Sequence, residues 1–248
     1  MISLVCIAKN EEHNIAKFLK YYQWVDDIVV VDNESNDNTA KIARQFTVKV
    51  FVKGEYNLGK LKRFALSQTE ADWILFLDID ELISQKLKKE IKRVIKEAPA
   101  DIHGYWIPYQ NYVFGKPVYY GGERYRKVRL FRRKFGTVTP ASIHEEFRVS
   151  GKLDQLSGVI HHYSYRTPRQ LFIKFTRYGW LAAEEKLALH EKITFNKLFL
   201  YAGHMFLERF IMDQGWRDGW RGLILASMFG YMEGLTYWLL AVRYLFYL

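Results

Sequence analysis

Trp73-Ile74-Leu75-Phe76-Leu77-Asp78-Ile79-Asp80-Glu81 runs from five large apolar residues straight into three acids within four positions. Such an apolar run suits a strand buried on both faces of a parallel sheet, and the acids, intolerable inside it, belong at its end. In an open α/β sheet the carboxyl ends of the strands face the ligand crevice, so this D-x-D is presented to whatever binds. Spacing i, i+2 puts Asp78 and Asp80 on one side of an extended chain, which suits a hard divalent cation carrying a substrate diphosphate. The alternative is that the acids cap the following helix, expected over residues 84–97.

Upstream, apolar runs alternate with helical periodicity. Strands are predicted at residues 2–8, 27–31 and 48–53, and helices at 14–24, 39–46 and 60–68. This order argues for a parallel sheet with right-handed crossovers and gathers Glu11, Asp32, Asp37, Lys62 and Asp80 on one rim. Neither G-x-G-x-x-G after the first strand nor G-x-x-x-x-G-K-[ST] occurs, so dinucleotide-oxidoreductase and P-loop readings lose their best support. Asp32, at the end of the second strand, suits hydrogen bonds from a base N–H or ribose hydroxyls; as a plain Asx residue it would shape a turn.

These motifs, taken in order, carry a resemblance. Residues 2–14, Val31-Asp32-Asn33-Glu34-Ser35-Asn36-Asp37-Asn38-Thr39, Asn57-Leu58-Gly59 with Lys62 and Ala65, and Leu77-Asp78-Ile79-Asp80-Glu81 resemble the nucleotide-sugar half of family 2 glycosyltransferases with the GT-A fold. The resemblance implies that Glu11 and Asp32 contact base and ribose and that Lys62 lies near the nucleotide. It further implies that Asp78 touches the ribose or a metal-bound water and that Asp80 ligates Mn2+ or Mg2+. Many relatives carry Arg-Asn in place of Lys62-Arg63 and a Pro or Thr in place of Ile7-Ala8. The donor base therefore stays open, with a UDP-sugar favoured.

Beyond Pro99 the pattern changes to short aromatic or alternating runs at 104–114, 116–120, 127–133 and 143–149, expected as antiparallel strands on the acceptor side. The basic stretch 119–134 is expected to be mostly solvated, with one or two residues meeting an acceptor phosphate. In Ile143-His144-Glu145-Glu146-Phe147, strand alternation puts His144 and Glu146 on one face and Glu145 on the other. An inverting transferase needs a carboxylate to take the acceptor hydroxyl's proton. The His-Glu pair of relatives implies Glu145 as that base, with His144 orienting it or touching substrate; Glu146 is the substitute.

Of the adjacent His161 and His162, at most one faces the site. The His-Tyr-Ser pattern of relatives selects His162 for metal or diphosphate contact, a role neutral imidazole fills beside carboxylates. Thr167-Pro168 then opens a helix. On it Lys174, Arg177 and Tyr178 share a face and match a Lys...Arg-Tyr pattern that implies closure over the diphosphate; otherwise they form a wet helix face.

Residues 195–212 and 223–248 are strongly apolar but interrupted by charges, and suit amphipathic helices lying in a membrane interface or, alternatively, a helical dimer interface. Gly215-Trp216-Arg217-Asp218-Gly219-Trp220-Arg221-Gly222 is similar to the tail of family 2 enzymes related to the lipopolysaccharide-core β-glucosyltransferases. The expected organisation is a nucleotide-sugar half at 1–98, an acceptor half at 99–166 and a helical region at 167–248.

Composition agrees with this. A net charge of +10 calls for anionic partners, and aromatics at 17%, crowded beside Arg and Lys in the second half, suit sugar stacking or a membrane interface. The single cysteine, Cys6, sits in an apolar run and permits neither a disulfide framework nor a Cys-based zinc site. The early first strand leaves no room for a cleavable signal peptide, so a cytoplasmic protein, peripheral at the inner face of the cell membrane, is expected. The leading expectation is a metal-dependent inverting transferase acting on a membrane-associated glycolipid or core oligosaccharide. The alternative is a non-catalytic nucleotide-sugar-binding protein of the membrane surface. A nucleic-acid binder fits poorly, because the candidate pocket is acidic.

Overall fold

The computed structural model describes residues 1–139 and 146–246. The chain folds as two compact units, Met1–Tyr109 with Arg126–His162, and Gln110–Tyr125 with Tyr163–Leu248.

The first unit begins with β1 (Ile2–Ala8), α1 (Ile15–Tyr21), β2 (Asp27–Asp32), α2 (Thr39–Ala43), β3 (Val50–Val52), α3 (Leu58–Ser67) and β4 (Trp73–Phe76). β1 pairs parallel with both β2 and β4, and β2 with β3, as the alternating pattern predicts. Then come β5 (Glu81–Ile83), α4 (Gln85–Glu97), β6 (Ile102–Val113, of which 102–109 belong to this unit), β7 (Lys116–Val118, in the second unit) and β8 (Arg126–Arg132). β8 lies antiparallel between β4 and β6, with Leu75 opposite Leu130. A separate antiparallel pair, β9 (Gly136–Val138) and β10 (Phe147–Val149), sets Phe147 opposite Val138. β11 (Lys152–Gln155) runs parallel to β6, and β12 (Ile160–Tyr165) pairs antiparallel with β5.

All four residues of β4 are buried, and Ile74 and Phe76 join Val5, Val29, Val31, Leu61, Val128 and Phe131 in one core. Each such side chain contributes about 1.5–3 kcal/mol when fully buried. Cys6, next to Val5 on β1 and so on the other face of the sheet, is also buried, and desolvation pushes its thiol far up.

Helix ends follow local chemistry. Asn57 caps α3 by accepting from Lys60 N–H at 2.9 Å, so that helix starts before its predicted residue 60. α1 is shorter than predicted, because Tyr22 leaves the helical conformation and its buried hydroxyl accepts from Ile83 N–H at 3.0 Å. The acids at 78–81 are not the cap of α4: β5 intervenes, and Ser84 Oγ accepts from Leu87 N–H at 3.1 Å.

In the second unit the end of β6 pairs with β7 across Phe114 and Gly115, both at positive φ, as a tight hairpin demands. Thr167 caps α5 (Pro168–Ala188) with Pro168 in its first turn, as predicted. α6 (Phe195–Phe199), α7 (Tyr201–Leu207) and the long α8 (Trp220–Phe246) follow, and α8 packs on α5 and α7. Leu171, Phe175 and Leu225 form this unit's core with Val113 and Val118. The Gly-Trp-Arg-Asp segment makes a 3-10 turn whose Asp218 accepts from the N–H groups of Tyr119 and Tyr120, each at 2.8 Å. Gly222 is required there, since a Cβ would meet the Gly215 carbonyl oxygen at 1.8 Å.

Candidate active site

The loops after β1 and β2 are stitched together by backbone-to-side-chain bonds. Glu11 N–H donates to Thr39 Oγ1 at 2.7 Å, and Glu12 N–H to Asp37 at 3.2 Å. The Glu11 carboxylate accepts from Asn14 Nδ2 at 2.6 Å. Asp32 is buried, and its carboxylate accepts from Ser35 N–H at 3.0 Å and from the Ser35 hydroxyl, so its turn-forming role is realised. Asp37 binds the Thr39 N–H and hydroxyl; these bonds outweigh desolvation and hold its carboxyl below the usual range.

From α3, Lys62 is buried with its ammonium 5.4 Å from the Phe76 ring and 5.6 Å from that of Phe147. It faces the acidic turn electrostatically. Burial works against charge on Asp78, yet Lys62 and Arg129 outweigh it and hold that carboxyl well below the carboxylate range.

Arg129, placed by the β4–β8 pairing, is the residue the sequence reading missed. Its Nη2 donates to Asp78 Oδ2 and to Glu81 Oε1, each at 3.0 Å, and its Nε to the Tyr109 hydroxyl at 2.6 Å. Glu81 is fully buried; desolvation pushes its carboxyl up against the pull of Arg129. The signal was present in Val128-Arg129-Leu130-Phe131: one charge inside an apolar strand run requires a buried acid nearby.

The register of β5 with β12 sets His162 opposite Glu81 and brings His162 Nε2 to 3.5 Å from Asp80 Oδ2. The Tyr109 ring meets the imidazole edge to face at 5.9 Å. His161, its neighbour, is opposite Leu82, and burial lowers its basicity.

Two donors this close fit adjacent positions on a Mn2+ or Mg2+ ion, whose remaining positions are commonly filled by water and substrate phosphates. Among the described residues no group of three or more His, Cys, Asp or Glu side chains forms a complete cage. The fit is thus to a cation shared with substrate.

His144 and Glu145 lie outside the described residues. Glu146 is exposed, and its N–H donates to Thr139 Oγ1 at 2.9 Å. Lys174 and Arg177 lie on α5 in the second unit, where the Lys174 ammonium donates to the Ser164 hydroxyl and Arg177 is exposed.

A parallel sheet whose central strand ends in a D-x-D turn, beside antiparallel strands bearing a histidine, defines a GT-A nucleotide-sugar enzyme. The chain belongs to glycosyl transferase family 2, which matches residues 3–146. It is a glycosyltransferase. It is similar to an uncharacterized glycosyltransferase of Rickettsia typhi, 29% identical across 94% of this chain and 84% of the relative. It is also similar to the lipopolysaccharide core biosynthesis glycosyltransferase LpsC of Rhizobium meliloti, 24% identical across 95% of this chain and 88% of the relative. Among solved structures, S. aureus TarS 1-349 in complex with UDP-GlcNAc aligns over 91% of this chain and 79% of its own, with 15% identity and a TM-score of 0.47. Glucosyl-3-phosphoglycerate synthase from Mycobacterium tuberculosis, in complex with Mn2+, UDP-glucose and phosphoglyceric acid, aligns over 44% of each chain, with 20% identity and a TM-score of 0.37.

Proposed function

We propose that the protein is a metal-dependent, inverting glycosyltransferase that moves a sugar from a nucleotide-diphosphate donor, with a UDP-sugar favoured, to a membrane-associated glycolipid or lipopolysaccharide-core acceptor. The observation that carries the metal-dependent donor site is the 3.5 Å approach of Asp80 to His162 at the end of the central strand. Mn2+ or Mg2+ held there supplies Lewis-acid stabilisation of the charge on the leaving diphosphate. Asp80 and His162 orient that end of the donor, and Glu11 and Asp32 are the proposed contacts for base and ribose.

In this reading Glu145 takes the proton of the acceptor hydroxyl as its oxygen bonds to the anomeric carbon. The bond from that carbon to the diphosphate breaks on the opposite face, and its electron pair leaves with the nucleotide, so the configuration inverts. His144 orients the Glu145 carboxylate. No covalent enzyme intermediate is involved.

A membrane-borne acceptor is favoured by α8. Its exposed positions Trp220, Leu223, Ser227, Trp238 and Leu245 fall on one helical face, opposite the buried Leu225, Ala226, Tyr237 and Leu240. Arg221 stacks 4.3 Å from the Trp220 ring centroid, a pairing suited to a headgroup region. By length and composition α8 is long and apolar enough to cross a membrane. Because its other face packs in this unit's own core, a peripheral helix in the interface is the better reading.

The test is transfer from UDP-glucose or UDP-GlcNAc to a truncated lipopolysaccharide core in the presence of Mn2+, with the product's anomeric configuration read by NMR. Inverted product supports the proposal; retained configuration contradicts the direct displacement.

A further inference from the structure

The acidic turn is closed at both ends. Glu81 N–H donates to the Asp78 carbonyl at 3.0 Å, and Asp78 N–H donates back to Glu81 Oε2 at 3.0 Å. Arg129 then bridges the two carboxylates, and the Tyr109 hydroxyl, which accepts from Arg129 Nε, donates to Glu81 Oε1 at 2.9 Å. The Arg129 side chain is 5% exposed and that of Glu81 1%.

A buried ion pair is weak as a source of stability, because desolvation offsets most of its attraction. What this cluster supplies is direction. Asp80 lies inside the closed turn, so the aim of its carboxylate follows from how Asp78 and Glu81 are held. Glu81 is also the residue paired with His162 across β5 and β12, so one clamp sets both Asp80 and His162. A guanidinium fits this task, since its planar fork serves several acceptors at fixed angles where an ammonium cannot.

We propose that Arg129, acting with Tyr109 and Glu81, is a positioning residue of the donor site: it locks the turn from Asp78 to Glu81 so that Asp80 stays aimed at His162, and it engages Asp78 so that the cation falls to the Asp80–His162 pair. The inference rests on the metal-dependent donor site proposed above. Arg129 itself touches neither substrate nor cation.

The experiment measures Mn2+ binding by electron paramagnetic resonance, and UDP binding by calorimetry over a range of Mn2+ concentrations, on the full chain without acceptor. The parent, Arg129→Lys and Tyr109→Phe are compared. Arg129→Lys is expected to weaken Mn2+ binding about tenfold to a hundredfold, the usual effect of removing a partner behind a metal ligand. Tyr109→Phe weakens it less, and saturating Mn2+ restores parental UDP affinity in both. A merely structural role would lower the unfolding midpoint while the folded protein kept its parental Mn2+ affinity. Parental Mn2+ affinity in the variants, alongside tight metal-dependent binding by the parent, overturns this inference and leaves the proposed function standing. Absence of any metal-dependent UDP binding by the parent overturns the proposed function itself. Tyr109→Phe, which removes one hydroxyl, decides the matter if Arg129→Lys does not fold.

Discussion

His162 Nε2 stands 3.5 Å from Asp80 Oδ2, although Asp80 lies in the turn before β5 and His162 on β12, far apart in the chain. The antiparallel pairing of β5 with β12 makes this approach, and the turn before β5 sets its geometry. As the proposed ligands of one cation, Asp80 and His162 predict a graded response to mutation. Asp80→Ala, which removes the anionic ligand, should lower turnover more than about a hundredfold. His162→Ala should instead raise the Mn2+ concentration needed for half-maximal rate. Rate measured against Mn2+ concentration checks both, and an unchanged metal requirement in His162→Ala would remove that residue from the site.

Glu145→Gln keeps shape and removes the basic oxygen. Donor binding should be unchanged while transfer falls about 10²- to 10⁴-fold, the range for loss of a general base. Glu146→Gln should leave transfer near the parental rate. Full activity in Glu145→Gln with loss in Glu146→Gln would move the base by one residue.

The exposed stripe of α8 predicts membrane attachment without a span. Replacing Trp220, Leu223 and Trp238 by Ser should release the protein from vesicles containing anionic lipid in a flotation assay, with the fold retained by circular dichroism. Unchanged flotation would assign the attachment to another surface, and a change in oligomer size by light scattering would assign the stripe to a second copy of the chain.

Glu191 anchors the segment between α5 and α6. Its carboxylate accepts from Lys186 at 3.0 Å, from Lys197 at 2.8 Å and from the Tyr237 hydroxyl at 2.8 Å. Desolvation opposes the charge, but these bonds outweigh it and hold the carboxyl at about 2, against 4.5 for an ordinary glutamate. A lowered folded-state value means that its stabilisation is complete above about pH 4.5 and is lost as pH falls toward 2. Glu191→Gln should lower the unfolding midpoint by a few degrees at pH 7 and have little effect near pH 2. A thermal-melt series across that window checks the sign.

Much of the fold was legible because its signals are local. The run Trp73 to Leu77 announces a strand buried on both faces, the acids after it mark the rim, and Thr167-Pro168 announces a helix start. Arg129 was obscured because its role depends on a strand pairing distant in sequence. By composition it was one more base in a basic stretch, and only the β4–β8 pairing makes it the partner of Asp78 and Glu81. Capping of α4 by the acids was a sound local expectation, but β5 intervenes and Ser84 takes that role. α1 ends earlier than its pattern suggests, since the tertiary contact of the Tyr22 hydroxyl with β5 overrules propensity at its end.

The proposed metal-dependent nucleotide-sugar site lies at the end of β4. Calorimetry of the detergent-purified protein with UDP-, GDP-, ADP- and CDP-sugars, first with Mn2+ and then with EDTA, tests it most directly. One donor, a UDP-sugar, should bind tightly and lose that binding with the metal; binding of no donor under either condition, or equal binding in EDTA, would rule the metal-dependent site out.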